Sequence, residues 1–558
     1  MIQQQLTELI EGAIKKAQKK GDLPAYSPPP VVVERPKQPE HGDFSTNVAM
    51  QSARFARMAP MQIAQAIVKR LPQAEFIGQV EVAPPGFINV HLAKTWLAEQ
   101  VERIREKGER WADIDLGQGK RVQVEFVSAN PTGPLHVGTG RNAVIGDTVA
   151  NVLDAAGYNV QREYYVNDAG SQMRAFGATL YARYAQALGR DEPVPENGYH
   201  GYYMVEMGEE VAQEHGDTFL HMLRDEAVTQ LQNIALEKML DSIRRDCERL
   251  NVHFDNWFRE SSLYEDSTFA RVMTILRTGG YVGTWDGAVW FKARELGGDK
   301  DEVLIRSNGE PGYFASDVAY HYNKFVERGF DWVIDVWSVD HQGQAARMPL
   351  VMKALGLDPT RLTMLLYNLV KLKRGGEEVK LSKRSGDIVT LAEVIDEVGT
   401  DAIRFMLLTR APESSMEFDL ALAAEQSNEN PVYYVQYAHA RIASILRKAA
   451  EAGWTPDRYA SGDVHALHHP SEMALLRKMV ELPEVIQLVV ERLAPHHLPF
   501  YAQDLATTFH AFYRDCRVIS NDPADAELTK ARLKLVEAAK ITLARVLHLM
   551  GMSTPERM

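Results

Sequence analysis

The sequence contains very little cysteine, because Cys247 and Cys516 are the only two in 558 residues. Two cysteines exclude a disulfide framework and a thiolate-rich zinc site, and they favour a reducing, cytoplasmic location. Long apolar runs are also missing, since no stretch approaches the ~20 apolar residues that a membrane-spanning helix needs. The first 21 residues have an amphipathic helical pattern without the apolar core of a signal peptide. We therefore expect no membrane partner.

An excess of positive charge is absent as well. The chain has 62 Lys and Arg against 75 Asp and Glu, a formal net charge of -13, which argues against a general polycation. Any nucleic-acid partner must therefore meet a local basic surface. Five histidines in C-terminal turns lack both cysteine and the spacing of a zinc site, so we predict no structural metal there. They are His465, His468, His469, His496 and His497.

The most informative stretch is 122–158, where a β-branched run leads through a Pro/Gly turn into a small-residue helix pattern that begins near Arg141. This pattern predicts a strand, a phosphate loop and a helix. The first turn of a helix has unpaired backbone N–H groups and the positive end of the dipole, so it can bind an anion. Gly138 and Gly140 would let a nucleotide approach the backbone, and His136 can donate a hydrogen bond to phosphate.

A hydrophobic content of 45% over 558 residues predicts several domains with buried cores. Residues 1–112 have the pattern of an α+β unit. Residues 113–394 alternate strands and helices, which predicts a Rossmann-like, doubly wound parallel sheet with a helical insertion at about 170–299. Residues 395–558 predict an all-α helical bundle. The fold class is therefore multidomain α/β, with a ligand crevice at the carboxyl ends of the strands.

A second basic loop, KLSKR at 380–384, comes where the sheet is expected to end. A charge run is usually a solvated surface, and a His-x-Gly triplet is expected about once by chance in this composition. Together the two features carry more weight, because a serine flanked by lysines in a Gly-bracketed loop is suited to clamping a leaving pyrophosphate. They indicate a nucleotide site formed by two loops.

Several longer phrases resemble one family more specifically than either loop does. HVGT at 136–139 is similar to His-x-Gly-His, and KLSK at 380–383 to Lys-Met-Ser-Lys, the two signatures of class I aminoacyl-tRNA synthetases. Six phrases resemble bacterial arginyl-tRNA synthetases over essentially the full chain: HGDFSTNVAM, VEFVSANPTGPLHVG, YYVNDAG, YFASDVAYHYNKF, NPVYYVQYAHARI and GMSTPERM. By this resemblance the chain is identified as a member of that family.

The resemblance implies that the chain joins L-arginine to ATP, with Mg²⁺ as the ATP counter-ion, and releases pyrophosphate. The arginyl group then passes to the 3′-terminal adenosine of tRNA(Arg), first at the 2′-hydroxyl. Such chemistry depends on positioning and on cationic stabilisation. The resemblance assigns catalysis to His136, Lys380 and Lys383, with Lys383 expected to matter most. It assigns ATP binding to Pro131, His136, Gly138, Thr139, Asp340, His341, Lys380, Ser382 and Lys383.

A planar guanidinium offers five donors, so an arginine site needs acceptors. By resemblance, Glu125 and Asp317 are the matching carboxylates, and Tyr313 lies alongside them. On pattern alone, Glu125 would be a salt-bridged strand end and Asp317 a helix N-cap, whereas the resemblance favours ligand roles. The arginine-binding set that it implies is Glu125, Ser128, Asn130, His136, Tyr313 and Asp317.

The resemblance also implies two tRNA surfaces on a chain that we expect to be a monomer. Phe87 and Asn89 would contact the tRNA elbow; on pattern alone they are a buried aromatic and a turn amide, or a pair that stacks on and reads an unpaired base. The helical bundle would bind the anticodon with interleaved aromatics and cations, which suit unstacked bases and phosphates. These residues are Tyr433, Tyr437, Arg441, Tyr513 and Arg517.

The first signature departs from the family at Thr139, where a second histidine is expected. A hydroxyl can donate one hydrogen bond but cannot carry positive charge. Thr139 therefore leaves open a catalytically silent, tRNA-binding relative, although the intact KLSKR, Asn130 and Asp317 favour an active enzyme. A small-molecule adenylyltransferase is a further alternative, but it would have no use for a helical bundle of this size.

Overall fold

The computed structural model describes residues 2–379 and 389–558. The N-terminal elements are α1 (Ile2–Lys19), β1 (Phe44–Thr46), α2 (Val48–Ala56), α3 (Pro60–Arg70), β2 (Ile77–Ala83), β3 (Phe87–Leu92) and α4 (Lys94–Lys107). Leu6, Ile10 and Ile14 of α1 are buried because they recur at helical spacing. The three strands form an antiparallel sheet of order β1-β3-β2. The predicted α+β unit is therefore present.

A parallel sheet of five strands lies at the centre of the middle region. Its strands are β4 (Arg121–Glu125), β5 (Asn159–Val166), β6 (Asn256–Arg259), β10 (Trp332–Ser338) and β11 (Leu362–Tyr367), in the order β11-β10-β4-β5-β6. Helix α5 (Val137–Ala155) connects β4 to β5 on one side, while β10 pairs with β4 on the other. The strand order thus reverses between β4 and β10, which confirms a doubly wound sheet whose crevice lies at this switch point.

The segment between β5 and β10 contains both helices and strands. Its elements are α6 (Ser171–Ala187), α7 (Tyr202–His215), α8 (Arg224–Arg249), α9 (Ser262–Glu265), α10 (Thr268–Thr278), β7 (Val282–Trp285), β8 (Ala288–Phe291), β9 (Glu302–Ile305) and α11 (Tyr313–Tyr322). β7, β8 and β9 form a small antiparallel sheet. The predicted insertion at about 170–299 also contains β6, which pairs with β5 and forms the edge of the central sheet.

The connection from the sheet to the bundle is not purely helical. Helices α12 (Gln342–Ala345) and α13 (Met348–Ala354) lie between β10 and β11. The connection itself comprises β12 (Val370–Arg374), β13 (Glu377–Glu378), α14 (Leu391–Val398), α15 (Thr400–Leu407), β14 (Met416–Asp419) and α16 (Leu420–Ala424). β14 lies within the range predicted as all-α, yet it pairs in parallel with β12. The pairing of β14 with β12 therefore extends β-structure beyond residue 395, into the segment that precedes the bundle.

The C-terminal region is a helical bundle, as predicted. Its helices are α17 (Pro431–Glu451), α18 (Pro456–Tyr459), α19 (Pro470–Val480), α20 (Leu482–Arg492), α21 (His497–Asp515) and α22 (Ala526–Leu549). Asn430 begins α17 by accepting a hydrogen bond from the Val432 amide, and Pro431 occupies the first helical position. Within residues 2–379 and 389–558, no helix combines the length and apolarity that a membrane crossing requires.

The buried guanidinium of Arg404 joins the end of the bundle to α5, the helix that follows β4. Arg404 on α15 is fully buried and donates to the main-chain oxygens of Met550, just after α22, and of Leu250, just after α8. It also pairs with the carboxylate of Asp147 on α5. Asn151 on α5 donates to the oxygen of Leu549 at 3.3 Å. The final turn of α22 is thereby attached directly to α5.

Candidate active site

The chain leaves β4 in a strained conformation at the switch point. Val127 and Ser128 have φ angles of 66° and 38°, in the left-handed region that β-branched residues in particular avoid. Asn142 on α5 holds this bend, because its Oδ1 accepts from the Val127 amide at 2.6 Å and its Nδ2 donates to Val336 O on β10 at 2.8 Å. Such strain persists only where the surroundings fix it, and it is common at functional sites.

His136 is the N-cap of α5. Its Nδ1 accepts hydrogen bonds from the amides of Gly138 at 3.1 Å and Thr139 at 3.4 Å. This cap explains why α5 begins at Val137 rather than near Arg141. Because Nδ1 acts as an acceptor, the proton of the neutral ring lies on Nε2, 3.3 Å from Thr139 Oγ1. The residue is exposed, but partial desolvation of its ring lowers the pKa of His136 and favours the neutral form. Its Nε2–H can donate to the Thr139 hydroxyl or to a bound phosphate.

The two loop glycines are next to groups of the protein itself. The amides of Gly138 and Thr139 donate to His136 Nδ1 in the cap of α5. A side chain at Gly138 would lie 3.0 Å from the His136 ring, and one at Gly140 would lie 2.8 Å from Leu391 Cδ1. Gly140 thus packs against α14, through the end of the Leu391 side chain. The imidazole of His136 is a further group at this turn that can donate to an anion.

The predicted second loop, with Lys380, Ser382 and Lys383, lies outside the described residues, but both of its flanks are described. On one side, Val379 N donates to Leu372 O on β12 at 3.0 Å. On the other, Thr390 forms a bridge with His136, and Leu391 N donates to Leu135 O at 2.7 Å. The chain that follows KLSKR therefore returns to the loop that carries His136.

The predicted arginine ligands Glu125 and Ser128 contact each other at the end of β4. Ser128 Oγ donates to Glu125 Oε1 at 3.0 Å and accepts from Tyr165 N at 3.1 Å. Lys324 Nζ lies 2.6 Å from Glu125 Oε2. Burial raises the pKa of Glu125, while the neighbouring Lys324 opposes that shift. The strand-end salt bridge expected from the pattern is thus present, and its cation is Lys324.

Asp317 on α11 lies close enough to Glu125 for the two charges to interact. Burial raises the pKa of Asp317 to about 7; His321 opposes the shift, and the negative charges of Glu125 and Glu260 add to it. Among the described residues, the hydrogen-bond donor to its carboxylate is the neutral amide of Gln344. Asp317 is therefore an acceptor without a cationic partner in that part of the chain, and it is not the N-cap of α11, which is Gly312.

The other predicted ligands lie around the same crevice but have fewer contacts. Tyr313 begins α11 and is 51% exposed, with the Arg306 guanidinium 5.8 Å from its ring centroid. Asn130 is exposed, and its Oδ1 accepts from Asn167 Nδ2 at 3.2 Å. On the nucleotide side, Asp340 and His341 follow β10 in an exposed turn. Pro131 is buried in the loop after β4.

Sequence reasoning did not identify three buried charged residues behind the crevice. Lys324 bridges Glu125 and Asp335 with distances of 2.6 and 2.7 Å, and His321 Nε2 lies 2.8 Å from the other oxygen of Asp335. Burial alone would raise the pKa of Asp335, but Lys324 and His321 hold it below its usual range. Asp335 stands in the apolar strand WVIDVWS. An isolated acid in such a strand requires a buried partner, so the sequence could have predicted a buried cation near Asp335.

Phe87 and Asn89 lie on β3 beside a cavity of about 540 Å³ in the N-terminal unit. Phe87 is 37% exposed, whereas Asn89 is 3% exposed and its Oδ1 accepts from Ser45 Oγ at 2.7 Å. Arg35 and Lys37 also line the cavity. An exposed ring, a buried amide and two cations around one cavity are the components expected of a site for an unpaired base.

Four of the five predicted bundle residues form one aromatic and cationic face. The rings of Tyr433 and Tyr437 are stacked, with centroids 6.1 Å apart. The Arg441 guanidinium lies 5.6 Å from the Tyr437 centroid and 4.8 Å from that of Tyr513 on α21. Arg517 comes after α21, and its Nε donates to Ile519 O at 3.0 Å. No hydrogen bond or cation–π contact within the described chain joins Arg517 to the other four.

The described residues contain no cluster of His, Cys, Asp and Glu arranged to hold a metal ion. Of the five turn histidines, His469 caps α19, with its Nδ1 accepting from the Ser471 amide at 3.2 Å. Cys247 and Cys516 are both buried and free. Burial raises the pKa of Cys247 to about 12, so its thiol is not a ready nucleophile or ligand.

Three protein families match successive parts of the chain. Residues 4–92 match the arginyl-tRNA synthetase N-terminal domain, residues 100–428 the catalytic domain of class I tRNA synthetases of the arginine (R) type, and residues 435–558 the DALR anticodon-binding domain. The central match includes the sheet, the His136 loop and the carboxylates at the switch point. Fold and site therefore define a class I aminoacyl-tRNA synthetase, which is a ligase.

Individual relatives narrow this class. The chain is 51% identical over 553 residues to the arginine–tRNA ligase of Dehalococcoides mccartyi (strain CBDB1), covering 99% of this chain and 98% of the relative. It is 47% identical over 561 residues to that of Heliobacterium modesticaldum (strain ATCC 51547 / Ice1), covering 100% and 99%. The Thermus thermophilus arginyl-tRNA synthetase structure shares the fold, with a TM-score of 0.75, 24% identity and 100% coverage of both chains. The chain belongs to the arginyl-tRNA synthetase family.

Proposed function

We propose that the chain activates L-arginine with ATP to give arginyl-adenylate and pyrophosphate, and then transfers the arginyl group to the 3′-terminal adenosine of tRNA(Arg). The observation that carries this proposal is that Glu125 ends β4, His136 caps the helix that follows β4, and Asp317 interacts with Glu125. Acceptors for a guanidinium and a donor for phosphate are therefore expected at the carboxyl end of the same strand. Membership of the family favours this activity over the silent relative and the small-molecule adenylyltransferase.

In the first step, the carboxylate of arginine attacks the α-phosphate in line and pyrophosphate leaves. Negative charge develops on the phosphate oxygens, and donors fixed in advance stabilise it. His136 Nε2–H supplies one such donor. Lys380 and Lys383 supply cationic ones, a role supported by the bridge between Thr390 and His136, which brings the chain after KLSKR back to this loop. The remaining nucleotide contacts are assigned to Pro131, Gly138, Thr139, Asp340, His341 and Ser382, with Mg²⁺ entering as part of the ATP complex.

Arginine is bound by acceptors matched to its side chain. Asp317 receives the guanidinium, Glu125 and Tyr313 contact it, and Asn130 with Ser128 holds the amino-acid end near His136. Lysine and ornithine leave part of this buried acceptor set unpaired, which costs several kcal/mol and rejects them without an editing step. The support is structural: Asp317 has only an amide as donor in the described chain, so its acceptor capacity is available.

Two surfaces bind tRNA. Phe87 stacks on an unpaired elbow base while Asn89 hydrogen-bonds its edge, and Tyr433, Tyr437, Arg441 and Tyr513 contact the anticodon loop.

Because base stacking contributes about 1–3 kcal/mol per base, Arg441→Ala should raise KM for tRNA about tenfold, with KM for arginine unchanged. Arg517, also assigned to the anticodon surface, makes no cation–π contact with the tyrosine rings of that surface in the described chain, so Arg517→Ala should change KM for tRNA less. Equal effects of the two changes would contradict this difference.

The decisive experiment offers each of the twenty amino acids separately, with ATP and total tRNA. Only arginine should be attached, and ATP–pyrophosphate exchange with arginine should require tRNA. Adenylation of another acid without transfer would support a small-molecule enzyme, and tRNA binding without exchange would support a silent relative. Either result would contradict the proposal.

Three finer properties belong to the same proposal. The domains are assigned to residues 1–112, 113–394 and 395–558, the chain is taken to be monomeric, and it is taken to act in the cytoplasm. Separate expression of residues 1–112 tests the first boundary, because a folded fragment should give a cooperative thermal transition. Light scattering on the full chain tests the oligomeric state, and fractionation of cells tests the location.

A further inference from the structure

Three buried carboxylates lie side by side across the central sheet. Asp335 on β10 is the register partner of Glu125 on β4, and Glu125 is the register partner of Glu163 on β5. Their exposed fractions are 0%, 5% and 0%. Neighbouring carboxylates in such a medium repel one another strongly, so this row can remain ionised only beside buried cations.

Both main cations come from one helical segment. After α11 the chain continues in a π-helical turn, Asn323–Glu327, a rare geometry that often marks functional positions. Lys324, within this turn, is fully buried and bridges Glu125 and Asp335. Arg328, directly after the turn, donates to Glu163 Oε1 at 2.9 Å. The segment therefore offers two cations in equivalent roles, one on each side of β4.

The two cation-bound glutamates differ in their remaining capacity. Glu163 also accepts from Gln123, Asn256 and the Tyr320 hydroxyl. In the described chain, Glu125 accepts only from Ser128 on one oxygen and Lys324 on the other. An ionised carboxylate has about four acceptor positions. Glu125 therefore retains acceptor positions for a substrate, whereas those of Glu163 are filled by the protein.

On the arginine side of the row, carboxylates outnumber the lysine and arginine cations. His321 Nδ1 lies 2.7 Å from Asp317 O, and its Nε2 lies 2.8 Å from Asp335 Oδ2. Lys324 is bonded to both Asp335 and Glu125. Asp317 has no lysine or arginine partner among the described residues. Glu260, the other nearby acid, is buried against Ser316, and burial raises its pKa.

We propose that Lys324 is a specificity-determining positioning residue of the arginine site. It bridges Glu125 and Asp335 and holds Glu125 ionised with its free acceptor positions available, while Asp317 faces the substrate without a lysine or arginine partner among the described residues. Carboxylate oxygens with free acceptor positions match the positive charge and the N–H donors of a guanidinium. This inference rests on the proposed function, and it adds to the arginine site a residue that acts through Glu125 and need not touch the substrate.

The test compares Lys324→Met with Arg328→Met, which removes the equivalent cation from the same segment. In Lys324→Met, Glu125 takes up a proton beside Asp335 and loses its acceptor role. KM for arginine should rise at least about tenfold at pH 7, equivalent to about 1.4 kcal/mol, with KM for ATP unchanged. Arg328→Met should lower thermal stability but leave both KM values within about twofold. Equal increases in KM for arginine would overturn the proposal.

A rescue experiment separates charge balance from packing. Lys324→Met/Asp335→Asn removes one cation together with the neighbouring anion, so part of the ionisation of Glu125 should return and KM for arginine should fall below that of Lys324→Met. For Lys324→Met alone, raising the pH to 8.5 should lower KM for arginine. A purely structural role for Lys324 predicts neither effect, and the absence of both would contradict the proposal.

A second variant covers the case in which Lys324→Met does not fold. Lys324→Arg keeps the positive charge, but a planar fork cannot place one nitrogen between both carboxylates as Nζ does. It should fold and raise KM for arginine while KM for ATP stays constant; an unchanged KM for arginine would count against the positioning role. Should the unaltered chain fail to charge any tRNA with arginine, the proposed function itself is wrong. If it charges tRNA while these variants behave like the parent, only the role of Lys324 is wrong.

Discussion

The arginine half and the phosphate half of the crevice are built differently. On the arginine side, Glu125 and Asp335 are buried and held by Lys324 and His321 at 2.6–2.8 Å. On the phosphate side, His136 is exposed and the adjacent amides are used in capping α5. The arginine side must distinguish a guanidinium from other cations, which requires charges held in fixed positions away from water. The phosphate side needs less discrimination, because phosphates are common to all nucleotides. The difference indicates that specificity lies in the buried half.

The largest test of this contrast is Asp317→Asn, which keeps the shape of the side chain and removes its charge. The guanidinium loses its uncompensated partner, so kcat/KM for arginine should fall about a hundredfold to a thousandfold, while KM for ATP changes little. Steady-state arginylation with varied arginine and then varied ATP measures both. A comparable rise in KM for ATP would show that the two halves are not separate.

On the phosphate side, His136→Asn and His136→Ala separate capping from catalysis. Asparagine is a good N-cap, so only alanine should lower the free energy of unfolding, by about 1 kcal/mol. Both should lower kcat about a hundredfold, because each removes a donor aimed at the developing phosphate charge. Pyrophosphate exchange and thermal unfolding provide the two readouts. Full activity in His136→Asn would assign the histidine to capping alone.

The pH dependence should be confined to the arginine half. Because the pKa of Asp317 is raised to about 7, kcat/KM for arginine should increase about tenfold per pH unit below pH 7 and level off above it. The sign for stability is opposite: ionisation is disfavoured in the folded chain, so this group makes the fold less stable as the pH rises from about 4 to 7. Both trends should be absent in Asp317→Asn. A pH profile that the variant retains would point to another group.

The smallest expected effect concerns Thr139, which is 7% exposed and lies beside His136 Nε2. We expect Thr139→His to change KM for ATP about two- to fivefold and to make it pH-dependent near the pKa of a histidine, with KM for arginine unaltered. Thr139→Val, which keeps the shape without the hydroxyl, is the control. Identical ATP parameters and pH profiles for the parent and Thr139→His would remove any special role for this position.

The sequence was most informative where a local pattern of residue types determines the structure. The strand, loop and helix around His136 follow from β-branched residues, a Pro/Gly turn and small helical residues, and the structure contains them in that order. The start of α5 was misplaced because a histidine is not an obvious N-cap. The role of Lys324 was missed because a lysine after a helix normally faces solvent, and its burial depends on the π-helical turn and on partners from two other strands.

The Arg404 attachment sets an order of events during synthesis. Helix α5 leaves the ribosome some four hundred residues before Leu549 and Met550, whose main-chain oxygens accept from Asn151 and Arg404. Until Leu549 and Met550 emerge, the Arg404 guanidinium lacks one of its acceptors and α5 lacks a neighbour. A chain that stops before Leu549 thus lacks part of the support of α5. Such a chain should be less active than the parent.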